Sequence, residues 1–174
     1  MSHMQSVVED RHVRPVMISR ACMRKLSELA HLSGDGSETG GILLGHDNHE
    51  QIRILHVGGP GPRAVRRPNY FLRDLEHARN LAEHAWEADG SEWIGEWHTH
   101  PKGALVPSQT DFRSYVAHLN DAELRLERFV SVIIADGQNG ATAATAATAA
   151  TAATAWIVYR DAAYLVPIAI EEGK

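Results

Sequence analysis

Residues 96–112 read EWHTHPKGALVPSQTDF, a stretch that combines the end of a strand, a proline-bounded loop and the start of a helix. His98 and His100 are two residues apart, so on an extended strand their side chains leave the same face and can share one ion. Ser108 and Asp111 form Ser-x-x-Asp, which resembles the capping box at a helix start. The stretch therefore places two imidazoles, a hydroxyl and a carboxylate around one junction of strand and helix.

Outward from this stretch, the hydrophobic pattern predicts alternating strands and helices. The predicted strands are 13–17, 39–45, 51–57, 92–98, 129–135, 156–159 and 164–170. The predicted helices are 19–31, 74–89 and 108–119. This order predicts a single α/β domain over residues 5–174, with a mixed, largely antiparallel sheet flanked by helices. Residues 1–4 resemble a cloning remnant.

Composition and charge exclude several classes of function. The chain has 174 residues and a formal net charge of −5, without a basic block, so neither nucleic acid nor a membrane is an expected partner. The apolar runs are shorter than the ~20 residues that a membrane span needs. The single cysteine, Cys22, cannot form an internal disulfide, and no leader-like segment comes first, so we expect a cytoplasmic protein.

Residues 141–155 repeat Ala-Ala-Thr, with threonine at positions 142, 145, 148, 151 and 154. A three-residue period matches neither the two-residue period of a strand nor the 3.6-residue period of a helix. We interpret the tract as a low-complexity connection between two strands, which a shorter linker could replace. The alternative is an alanine-rich helix that covers one edge of the sheet.

The residue types in 96–112 are those of a zinc site. Zinc accepts neutral imidazole and carboxylate ligands, and a catalytic site keeps a fourth position for water. His98, His100 and Asp111 would supply the three protein ligands. Alternatively, the histidines are exposed on a strand, Ser108 only caps the helix, and Asp111 only complements the helix dipole. Capping and catalysis are compatible, because a capping Ser108 keeps its own proton free to donate to an oxyanion.

A wider set of residues resembles a known family motif. Glu38 precedes TGGILLG at 39–45; HTHP follows at 98–101, then six residues, Ser108, two residues and Asp111. This pattern resembles the JAMM motif, also called MPN+ or JAB, of zinc-dependent isopeptidases, and is similar to the small prokaryotic members. The resemblance covers about residues 12–170 in element order and implies a JAMM/MPN-like fold.

The resemblance also implies the role of each residue. His98, His100 and Asp111 would bind one zinc ion per chain, Glu38 would act as general acid/base on the bound water, and Ser108 would stabilise the tetrahedral intermediate. Without the resemblance, the sequence does not distinguish Glu38 from Glu92 or Glu96 as the general base. Glu96 could also be a partner of the ligands or a surface charge.

The substrate that the resemblance implies is a ubiquitin-like protein whose Gly-Gly tail is joined to a lysine or carries a short extension. A diglycine tail suits a narrow groove. The loop 58–68 lies where the family carries a substrate-contacting insertion, so Arg63, Arg66 and Arg67 either meet an acidic partner or are solvated. The alternative functions are a non-catalytic MPN scaffold and a zinc hydrolase of another small amide.

Overall fold

The computed structural model describes residues 14–48, 50–101, 104–136, 146–148 and 151–172. Its strands are β1 Val16–Ser19, β2 Gly40–Asp47, β3 Ile52–Val57, β4 Val65–Arg67, β5 Tyr70–Leu72, β6 Glu92–Thr99, β7 Phe129–Asp136, β8 Ala146–Thr148, β9 Thr151–Val158, β10 Ala163–Val166 and β11 Ile168–Glu171. Its α-helices are α1 Arg20–Ala30, α2 Leu75–Asp89 and α3 Gln109–Asn120, and a 3-10 helix, His31–Asp35, follows α1. In these ranges no helix has the length and apolar character to cross a membrane.

Within the described residues, nine strands form one mixed sheet, in the order β10-β9-β7-β6-β2-β3-β1-β11 with β8 beside β9. Strand β1 is parallel to β3 and β11, and β6 is parallel to β7. The other neighbours in the sheet are antiparallel. The predicted α/β class with a largely antiparallel, helix-flanked sheet is therefore confirmed.

The two ends of the sheet meet at Pro167. Strands β10 and β11 lie at opposite ends of the strand order, yet Val166 ends one and Ile168 begins the other. Two residues span at most about 7 Å, so the sheet must curl until its edges are neighbours. The sequence predicted one strand over 164–170, which is wrong: Pro167 separates two strands and its carbonyl accepts from the Val16 N–H.

The curled sheet encloses the main core and leaves two helices outside. Buried side chains of α1, including Cys22, Met23 and Leu26, pack with inward residues from most strands. Helix α1 begins at the predicted cap, where Ser19 Oγ accepts from the Cys22 N–H. Helix α3 packs on the other face through Tyr115 and Leu119, and α2 packs there through Ala85. A cleft between α2 and α3 consequently has β6 as its floor.

The last residues of the Ala/Thr tract belong to the sheet. Thr151–Ala155 form the first part of β9, which pairs along its length with β7. Ala152, Ala153 and Ala155 are 7%, 1% and 0% exposed. Both interpretations of the tract, a connection and an edge-covering helix, are wrong for these residues. A strand that is buried on both faces needs no alternation, so a three-residue period of small side chains is compatible with it.

Other sequence predictions differ from the structure at their edges. Strands β4 and β5 form a small separate hairpin. Strand β4 lies within the predicted loop 58–68, and β5 lies where no element was predicted. Strand β1 begins three residues later than predicted, and position 13 lies outside the described residues. The proposed remnant at 1–4 and the tract residues 141–145, 149 and 150 also lie outside the described part of the chain.

Candidate metal centre

The site forms where β2 and β6 run antiparallel in the middle of the sheet. Gly40 pairs with His98, and the Thr99 N–H donates to the Thr39 carbonyl at 2.8 Å. Continuing this register by one more residue places Glu38 opposite His100. The glutamate that precedes TGGILLG therefore reaches the histidines across the sheet, although the two segments are far apart in sequence.

Gly40 is required by the close approach of these strands. A Cβ atom there would lie 2.4 Å from the Trp97 carbonyl oxygen and 2.8 Å from a ring carbon of Phe71. We expect Gly40→Ala to reduce the free energy of unfolding by about 1–3 kcal/mol, because the backbone contact cannot relax like a flexible side chain. Gly34→Ala is the matched control, since no atom lies within 4 Å of a Cβ built there. Equal denaturation midpoints for both variants would contradict this expectation.

Three donor atoms converge at the end of β6. His98 Nε2 lies 2.9 Å from His100 Nε2, and Asp111 Oδ2 lies 3.5 Å and 3.4 Å from these two nitrogens. In a tetrahedral zinc site with bonds of about 2.0–2.1 Å, neighbouring ligand atoms are about 3.3 Å apart. Both the types of donor and their separations therefore fit a single zinc ion, and these residues could hold a metal.

The orientation of His100 is set by its second ring nitrogen. His100 Nδ1 lies 2.9 Å from the Ala104 carbonyl oxygen, which can only accept a hydrogen bond. Nδ1 must therefore carry the proton, and in the neutral ring Nε2 is left with a free lone pair. His98 is 5% exposed, and its Nδ1 has no hydrogen-bond partner within the described ranges.

Asp111 is held by the first turn of α3. Ser108 Oγ accepts from the Asp111 N–H at 3.1 Å, and Asp111 Oδ2 accepts from the Ser108 N–H at 2.6 Å, which completes the predicted capping box. Burial raises the pKa of Asp111, but hydrogen bonds from His100 and His98 outweigh it and hold that pKa below its ordinary range. The carboxylate is therefore charged, and a side-chain hydrogen bond with Ser108 also helps to lower the pKa of Asp111.

Glu38 lies at the same site without belonging to the donor cluster. Its backbone N–H donates to the Arg67 carbonyl at 2.9 Å, which ties it to β4. Burial raises the pKa of Glu38, while the charges of His100 and His98 oppose this rise. A half-buried carboxylate with a raised pKa beside a candidate metal-binding cluster is suited to act as a general acid/base.

A cleft of about 1210 Å³ extends from this site between α2 and α3. Glu96 and Arg73 form an ion pair on its floor, with side chains only 15% and 16% exposed. The Arg73 guanidinium lies 5.6 Å from the centre of the Trp93 ring. Arg73 and Trp93 were not predicted from the sequence, because no local pattern links them to the histidines. Glu96 is neither a hydrogen-bond partner of the ligands nor a surface charge.

Two of the three clustered arginines are engaged within the chain. Arg63 pairs with Asp74 and Glu76, and Arg66 pairs with Asp35. Arg67 is exposed. These contacts favour a structural role for Arg63 and Arg66 over contact with an acidic partner.

Comparison with known proteins identifies the family. The family model for prokaryotic homologs of the JAB domain matches residues 19–153, more than half of the chain. The protein belongs to this family. The JAMM resemblance of the sequence is thereby confirmed, and this zinc-dependent family agrees with the donors at the site.

Two curated relatives indicate the class of reaction that the family member catalyses. One, named CD-NTase/cGAS isopeptidase, from Escherichia coli, is 31% identical over 109 residues, 62% of this chain and 68% of the relative. A protein of the same name from Vibrio cholerae is 26% identical over 117 residues, 66% of this chain and 75% of the relative. By this homology the JAB protein is an isopeptidase, a hydrolase.

A solved structure supports the fold. The solution structure of protein DSY2949 from Desulfitobacterium hafniense matches with a TM-score of 0.64 at 17% identity, covering 91% of this chain and 94% of that one. At this identity the likeness extends to the fold alone.

Proposed function

We propose that the protein hydrolyses isopeptide bonds with one zinc ion held by His98, His100 and Asp111, and with Glu38 as the general acid/base. The observation that carries this proposal is the triangle of His98 Nε2, His100 Nε2 and Asp111 Oδ2, whose sides of 2.9, 3.5 and 3.4 Å fit one zinc ion. A non-catalytic MPN scaffold is the weaker reading, because the complete donor set and the half-buried Glu38 are both present.

Each residue of the site has a separate task in this proposal. When bound, zinc supplies a Lewis acid that polarises the carbonyl and lowers the pKa of its water. Glu38, opposite His100, takes the water proton and delivers it to the leaving lysine amine. Ser108 Oγ–H lies at the start of α3 beside Asp111 and donates to the oxyanion. The Ala104 carbonyl keeps the proton of His100 on Nδ1, away from the reaction.

The cleft supports a protein tail as the substrate. Its volume of about 1210 Å³ accommodates an extended peptide that leads to the three donors. We propose that this tail belongs to a protein of the CD-NTase/cGAS class, as the names of the relatives indicate. A ubiquitin-like protein with a Gly-Gly tail, joined to its target, is the alternative substrate. The free, buried Cys22 favours a cytoplasmic setting.

A metal measurement combined with a cleavage assay tests the proposal. Purified without chelator, the protein is expected to carry about one zinc ion per chain, and His98→Ala or Asp111→Ala is expected to lose it. His84→Ala is the matched control, because His84 is exposed and its Nδ1 lies against the Asn80 carbonyl of its own helix. Full zinc loading of either ligand variant would show that the assignment is wrong.

The cleavage assay uses two conjugates, a CD-NTase tail and a ubiquitin-like Gly-Gly tail, each joined to the side-chain amine of a lysine. The zinc-loaded protein is expected to cleave the first faster, and His98→Ala is expected to cleave neither. Faster cleavage of the Gly-Gly conjugate would assign the alternative substrate. Binding of either conjugate without any cleavage would favour a scaffold.

A further inference from the structure

The carbonyl of Leu105 is held by two side chains of β9. Thr154 Oγ1 donates to it at 2.8 Å, and Trp156 Nε1 donates to the same oxygen at 3.3 Å. Thr154 is the last threonine of the Ala-Ala-Thr repeat and is 5% exposed. A buried hydroxyl needs a partner, and here that partner is a loop 49 residues away in sequence.

This loop also holds a candidate metal ligand. Leu105 directly follows Ala104, whose carbonyl accepts from His100 Nδ1 at 2.9 Å. The contacts at Leu105 therefore fix the adjacent peptide, and with it the oxygen that selects the tautomer and the ring orientation of His100. Without them, the described end of the loop at 104–107 loses two of its hydrogen bonds to the sheet.

The sheet brings Thr154 to the correct face for this contact. Thr154 pairs with Ile133 of β7, and Ile133 pairs with His98 of β6, so the three residues form one row across the sheet. Side chains along such a row leave the same face. Thr154 therefore faces the side of the sheet that carries His98, and its Oγ1 reaches the Leu105 carbonyl.

We propose that Thr154, assisted by Trp156, is a positioning residue for the metal centre: through the Leu105 carbonyl it fixes the loop that orients His100. The final Ala-Ala-Thr unit then supports zinc binding as well as the sheet. This inference rests on the proposed zinc site.

Zinc affinity, measured by competition with a chromogenic chelator, tests the inference. Thr154→Val keeps the shape and removes the donor, and we expect it to weaken zinc binding about 10-fold, the lower end for groups that orient a metal ligand. Thr154→Ser keeps the hydroxyl and is expected to restore affinity to nearly the wild-type value. Thr151→Val, in the same repeat but opposite Asp136, is the matched control and should bind zinc normally.

The melting temperature of the zinc-free protein separates positioning from stability. A merely structural Thr154 would lower this temperature while zinc affinity, measured well below melting, stays unchanged; that result would overturn the inference. Trp156→Phe removes the second donor and is expected to weaken zinc binding as well, which provides a test if Thr154→Val does not fold. If the wild-type protein binds no zinc, the proposed function fails and the inference fails with it. If the wild type binds zinc and Thr154→Val binds it with the same affinity, the proposed function stands and only this inference is wrong.

Discussion

Glu38→Gln is expected to slow isopeptide cleavage by about 10²–10⁴-fold, the usual contribution of a general acid/base. Glutamine has nearly the same shape but cannot take the proton of the attacking water. Zinc content should remain near that of the wild type, because Glu38 lies outside the triangle of donor atoms. The loss should therefore appear in kcat, with KM for the conjugate little changed.

The matched control for this variant is Glu96→Gln. Glu96 pairs with Arg73 in the cleft, and both side chains are at most 16% exposed. Glu96→Gln removes the negative charge and leaves the largely buried Arg73 guanidinium without an ion-pair partner. We therefore expect a lower melting temperature and a smaller loss of kcat than for Glu38→Gln. A wild-type rate for Glu38→Gln together with an inactive Glu96→Gln would move the acid/base role to Glu96.

Ala155→Asp is expected to lower the free energy of unfolding by about 3–5 kcal/mol, the cost of a buried charge without a partner. Ala155 is 0% exposed and packs in the core that the curled sheet encloses. Typical domains have only about 5–15 kcal/mol of stability, so this single change should bring the protein close to unfolding. Chemical denaturation followed by circular dichroism measures the effect.

Leu165→Asp is the control for position in the sheet. Leu165 lies on the neighbouring strand β10 and is 41% exposed, so a carboxylate there stays hydrated. We expect a cost of at most about 1 kcal/mol, within the range of strand preferences. If Ala155→Asp were tolerated as well as Leu165→Asp, the tract would be a connection after all and its placement in β9 would be wrong.

Local signals in the sequence were sufficient for most elements and for the candidate site. Ser19 caps α1 and Ser108 caps α3, because a capping hydroxyl acts on N–H groups two or three residues away. His98 and His100 share a face through the two-residue period of a strand. Glu38 was different, since only the resemblance to the JAMM motif selected it from the other glutamates.

The sequence by itself determined the α/β class and the helix caps and predicted the three candidate metal donors, because these depend on spacings of a few residues. The tertiary structure decided what depends on contacts between distant segments. It divided 164–170 at Pro167 between the two ends of the sheet and placed the end of the Ala/Thr tract in the core. It also joined Thr154 to the loop beside His100. The local spacing of residues specifies the type of an element and the face that it buries. Which distant segment a strand contacts across a curled sheet is set by the packing of the whole chain.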